Sequence, residues 1–191
     1  MLRPPEFMAA MDAYDSGNSP LALRLMQKCA ESGDPVACYT MALWHGSGEG
    51  TEPSTEQQAY WLRRLEALAD GGNVEAQWDL SARLRWGDLV PLDVERANYW
   101  LERAAEAGCG SAQHHLAWYY ETGQFGYSVD ADAAAEWYRR AFAQNHPETL
   151  YLFAVRKFKD GVPTDEAMQL LRKAASMGFK QAGHVLAAHQ H

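Results

Sequence analysis

Apolar and small residues recur along this chain at helical steps, and the pattern is clearest between Asp93 and Gly123. Ala97, Trp100, Ala104 and Ala105 step by three, four and one before Gly108. Ala112, Leu116, Ala117 and Tyr120 follow with similar steps before Gly123. Such spacing lines one face of a helix, and a glycine just past the last periodic residue supplies the left-handed turn that ends it. The small alanines allow close approach of two helices, so the stretch predicts a helical hairpin.

The hairpin repeats. Gly33, Gly72, Gly108, Asn145 and Gly178 each end a second helix, at spacings of 39, 36, 37 and 33 residues. Four residues after each stop a small residue opens the next helix: Ala37, Ala76, Ala112, Thr149 and Ala182. Counting that residue as position 0, position +4 is Met41, Leu80, Leu116, Phe153 or Leu186, and position +5 is Ala42, Ser81, Ala117, Ala154 or Ala187. Eight residues before the stop stands a large residue, Leu25, Trp100, Trp137 or Leu170; Trp61 lies 11 before Gly72, which predicts about three extra residues in that helix or its turn. Internal self-similarity at this period marks a stacked helical repeat.

In chain order, a first helix is expected over Glu6–Tyr14 and a second over Leu21–Glu31, with a turn between them. Helix pairs are expected at about 35–70, 74–107, 110–144 and 147–177. The repeats run at about 6–33, 35–72, 74–108, 110–145 and 147–178, and a last helix over 180–191 caps the stack. No linker divides the chain, so residues 1–191 read as a single solenoid domain. The intervening loops, including Asp160–Thr164, are rich in turn residues. Ser54, Asp93, Asp130 and Thr164 fall where side chains cap helix N-termini.

The 191 residues carry a net charge of −8 and are 47% apolar, with a pI near 5.3. The apolar share supports a substantial core. The acidic balance disfavours nucleic acid and favours a basic protein partner. The N-terminal stretch holds no apolar run long enough for a signal peptide or membrane span, which predicts a cytoplasmic protein without membrane association. Three cysteines, an odd number, argue against a fully bridged framework.

Little points to catalysis. Gly46–Gly50 is glycine-rich but follows a helix, unlike a phosphate-binding loop. Paired cysteines at zinc spacing are absent. His114 and His184 stand two repeats apart, and helices pack about 8–10 Å from their neighbours, too far for a shared ion. His184 and His189 lie about 140° apart around one helix. No acid–base pair or nucleophile is expected, and no cofactor or metal.

These columns resemble the Sel-one-like repeat (SLR) family, relatives of the tetratricopeptide repeats. Ala112, Leu116, Tyr120 and Gly123 match the first half of its unit; Asp93, Ala97, Trp100, Ala104, Ala105 and Gly108 match the second. The match runs from about residue 20 onward. Asn145 stands where the family has glycine, and Thr149, Lys157 and Asp160 depart from its Ala, Tyr and Gly. The resemblance implies an all-α solenoid of about five helix–turn–helix repeats with a C-terminal capping helix. It also implies first helices that line a concave face. Some secreted members bridge their paired helices where Cys29 and Cys38 lie; here a reduced pair is expected.

The candidate surface is a column at position +2: Tyr39, Trp78, His114, Tyr151 and His184. It is joined by Trp118 and Val155 at +6 and by Arg83, Tyr119 and Arg156 at +7. Aromatics and arginine are the usual anchors of protein interfaces. Because the family tends to carry an aromatic at +2, packing between repeats is the competing reading. Partner-binding candidates are therefore Tyr39, Trp78, Arg83, His114, Trp118, Tyr119, Tyr151 and Arg156. The resemblance implies a non-catalytic adaptor that binds another protein. A bacterial immunity protein that neutralises a toxin or effector is the alternative, and a hydrolase of the cysteine-rich SLR type the remote one.

Overall fold

The computed structural model describes residues 3–159 and 161–189. Asp160 and the last two residues of the expected cap helix, Gln190 and His191, lie outside the described residues. Eleven helices follow in order among the described residues: α1 (Pro5–Asp15), α2 (Ser19–Glu31), α3 (Pro35–Ser47), α4 (Thr55–Asp70), α5 (Val74–Trp86), α6 (Val94–Glu106), α7 (Gly110–Thr122), α8 (Ala131–Ala143), α9 (Pro147–Arg156), α10 (Asp165–Ser176) and α11 (Lys180–Ala188). Two two-residue strands, β1 (Phe158–Lys159) and β2 (Val162–Pro163), pair antiparallel with Phe158 opposite Pro163. They occupy part of what the sequence suggests is a plain loop.

The expected stops hold the left-handed backbone: φ is +94° at Gly33, +86° at Gly72, +94° at Gly108, +59° at Asn145 and +88° at Gly178. Each expected N-cap accepts a backbone N–H: Ser54 from Gln57 at 3.2 Å, Asp93 from Arg96 at 2.9 Å, Asp130 from Ala133 at 2.9 Å and Thr164 from Ala167 at 3.2 Å. Asn18, Asp34 and Asn73 cap α2, α3 and α5 in the same way.

Contacts group the chain into two compact units, one up to Ala104 and one from Ala105. In the first, α1 pairs with α2, α2 with α3, α3 with α4 and α4 with α5. Its core is built from Met26, Met41, Leu65, Leu80 and Leu84, with Trp44 and Trp61 beside them. In the second, α7 pairs with α8, α9 with α10 and α10 with α11. Leu150, Leu171, Ala174 and Ala182 are buried there.

The small opening residues are all buried. The large-residue column is displaced by one. Of that column Trp100 is buried, but Leu25, Trp137 and Leu170 are only half-buried, whereas Met26, Leu65, Leu101, Tyr138 and Leu171, seven before each stop, are all buried. Leu65 keeps this register, so α4 is not shifted against its stop. α4 has 16 residues against 13 in α2, α6 and α8, and the extra three lie at its N-terminal end. Trp61 occupies the place of Ala22, Ala97, Ala134 and Ala167, eleven before the stop, rather than that of Trp100.

Candidate functional site

In the second unit the first helices of two repeats turn a common face outward. His114, Trp118 and Glu121 lie at i, i+4 and i+7 on α7, one stripe of a helix. Glu148, Tyr151 and Leu152 come from the first two turns of α9. With Tyr138 of α8 and with Phe179 and Gln181 at the start of α11, they line a groove of about 430 Å³.

The groove is a polar network under aromatic walls. The Tyr138 hydroxyl donates to Glu121 Oε2 at 2.8 Å, and Glu121 Oε1 accepts from Arg156 at 2.5 Å. The Arg156 guanidinium lies 5.2 Å from the Tyr138 ring centre. Burial, then the Glu121 carboxylate, pushes the Tyr138 phenol well up. The Tyr151 and Phe179 rings lie 5.3 Å apart. Trp118 is 37% exposed.

Behind the groove sits a histidine cluster. Thr149 Oγ1 lies 3.0 Å from His114 Nδ1 and 3.3 Å from His146 Nδ1, and His146 Nε2 lies 3.2 Å from Ser111 Oγ. Burial, then the neighbouring His115, His146 and Arg156, pulls the His114 pKa down to about 3. His114 Nε2 approaches Glu148 Oε2 at 3.7 Å, but a neutral imidazole makes this a dipolar contact and not an ion pair. Thr149 touches two imidazoles and is fully buried. Among the described residues no three His, Cys, Asp or Glu side chains are placed to hold a metal.

The structure brings some candidates together and separates others. His114, Trp118 and Tyr151 share the groove, with Arg156 at its edge. Tyr39 and Arg83 meet in the first unit: the guanidinium lies 3.5 Å from the Tyr39 ring centre and pairs with Asp79 at 3.0 Å and Asp88 at 2.5 Å. The Tyr39 hydroxyl also donates to Asp88, at 2.8 Å. Burial, then this bond to Asp88, pushes the phenol up to about 12. Trp78 is half-buried. Tyr119 corrects the surface reading: it is 4% exposed and packs on Phe125 and Tyr127. At about 100° per residue, position +7 falls only about 20° from position 0, on the core side of the helix.

Glu121, Tyr138, Glu148 and Phe179 were not candidates. The i, i+4, i+7 step from His114 through Trp118 is the signal that reaches Glu121, while Tyr138 sits one residue after the expected column at Trp137. Sequence spacing carries no sign of Glu148 or Phe179. Cys29 and Cys38 are both buried and free, and among the described residues no helix is long and apolar enough to cross a membrane.

The Sel1 repeat family profile matches residues 14–34, 35–68, 74–109, 110–146 and 160–179. It passes over 147–159, where Thr149 and Lys157 depart from the repeat pattern. The chain is similar to a Sel1 repeat protein from Oxalobacter formigenes, with 30% identity, TM-score 0.62, and coverage of 88% of this chain and 48% of that one. It is also similar to a protective antigen present in uropathogenic Escherichia coli strains that displays an SLR fold, with 25% identity, TM-score 0.58, and coverage of 96% and 40%. A Pseudomonas aeruginosa protein, at 20% identity and TM-score 0.57 over 94% of this chain and 70% of that one, shares the fold. The chain thus spans about half or less of the first two. Sel1 repeat proteins generally mediate protein–protein interaction. With five repeats matched over most of its length, the chain belongs to the Sel1 repeat family and is an all-α solenoid of about five repeats.

Proposed function

We propose that this chain is a non-catalytic adaptor of the cytoplasm that holds a partner protein on its first-helix face, with the groove of the second unit as an anchor point. The observation that carries this reading is the groove itself. Three side chains chosen by repeat register, His114, Trp118 and Tyr151, line one opening together with two carboxylates. Partly exposed aromatic rings with polar rims are what protein interfaces use as anchors. An immunity protein that occludes a toxin would use the same face, and the acidic net charge of −8 suits a basic protein of either kind.

The test is affinity capture on the tagged full chain from its own cells, beside a Trp118→Ala variant of unchanged circular dichroism. A stoichiometric partner retained by the wild type and lost by the variant is the expected result. A toxic effector as that partner selects the immunity role; components of one pathway select the adaptor role. Recovery of no partner at low salt refutes the proposal.

A further inference from the structure

We propose that the groove of the second unit receives an arginine side chain from the partner. This rests on the interaction reading above and names the chemistry of the same site.

The first unit contains the template. There the chain's own Arg83 guanidinium sits over the Tyr39 ring at 3.5 Å, with the Asp79 and Asp88 carboxylates bound to its two terminal nitrogens. A planar cation stacked on a ring and forked between carboxylates is the arrangement that arginine makes and lysine does not. The groove presents the same parts, Trp118 and Tyr151 as rings and Glu121 and Glu148 as carboxylates. No lysine or arginine is among its lining residues. Arg156, which holds the register position of Arg83, turns to Glu121 and the Tyr138 ring instead. Among the described residues Glu148 pairs with no lysine or arginine, and its only ionic neighbour within 4.0 Å is the neutral His114. Its side chain is 44% exposed. An incoming guanidinium therefore meets one uncompensated carboxylate beside aromatic rings, inside a chain of net charge −8.

The test pans a displayed library of random 12-residue peptides on the full chain and titrates the tightest binder, fluorescein-labelled, by anisotropy. The expected binder contains arginine. Replacing that arginine by glutamine should weaken binding about tenfold or more, and by lysine less. In the protein, Glu148→Gln should weaken it about fivefold and steepen neither unfolding nor the circular dichroism change, while Glu95→Gln, exposed on α6, leaves it intact. Tyr151→Ala serves as a second variant that removes a ring. Binders without arginine, or arginine binders indifferent to Glu148→Gln and Tyr151→Ala, overturn the inference while leaving the interaction reading standing. No enrichment over an unrelated control protein counts against both.

Discussion

Gly108 and Asn145 do the same job with different side chains. Both hold positive φ after a second helix; glycine does so without a Cβ, and asparagine is among the few other residues that enter this region. A methyl group built at Gly108 meets nothing within 4 Å, so Gly108→Ala isolates backbone strain from crowding. The expected loss is about 1–2 kcal/mol, read by urea denaturation; an unchanged midpoint would show that the turn relaxes. One residue-scale device escaped the sequence reading. Gln77 and Gln113, one after the small opener, reach back eight residues to the carbonyls of Ala69 and Ala105 at 3.0 and 2.9 Å, and Cys38 does the same to Ala30 at 3.5 Å. Each bonds an acceptor near the C-terminus of the preceding second helix. Because thiol and amide share one geometric role but no residue class, no column of similar letters reveals it. Gln113→Ala should cost about 1 kcal/mol, since a turn N–H also serves that carbonyl. A denaturation midpoint equal to wild type would refute the role.

At the scale of elements, the N-termini were legible because the chain writes them in short polar side chains that act locally. Ser54, Asp93, Asp130 and Thr164 needed only their position relative to an apolar run. Thr164 is the most consequential, for it opens α10, whose Ala167, Leu171 and Ala174 are all buried. Thr164→Ala should cost about 1 kcal/mol and speed amide hydrogen exchange in the first turn of α10; Thr164→Ser should restore both. What was illegible depended on which way a helix faces. The large residues eight before each stop stand out by size, yet only Trp100 among them is buried, while the column one later is buried throughout. Size draws the eye to tryptophan, whereas burial follows angle. Tyr119 fails for the same reason. The groove was legible for His114 and Tyr151 at position +2 and Trp118 at +6, and not for Phe179, which follows a stop, or Glu148, which precedes an opener.

For the molecule as a whole, the repeat period decided the fold, because five copies of one hairpin repeat the same signal where a single hairpin would be ambiguous. Its acid response follows from the His114 cluster. Burial and neighbouring charges lower the pKa of His114 to about 3, and that of His146 also falls, chiefly by burial. The unfolded chain, with histidine near 6.5, then binds more protons than the folded one between about pH 6.5 and 3. Stability is therefore whole above about 6.5 and declines as pH falls through that window. Thermal melts should show a drop in Tm from pH 7.5 to 5.0 that a His114→Gln variant reduces; an equal drop in both would clear His114 of the effect. One buried group also makes the first unit easy to watch. The Cys38 thiol is fully buried against α2, and burial pushes it up to about 11, while Cys109 is partly accessible. An alkylating reagent thus finds Cys109 at once and Cys38 only when α3 lifts from α2. Cys29 is buried as well, so in a Cys29→Ser variant the slow phase of labelling becomes a clock for that single opening, ticking at the frequency of a local breathing motion of the first unit.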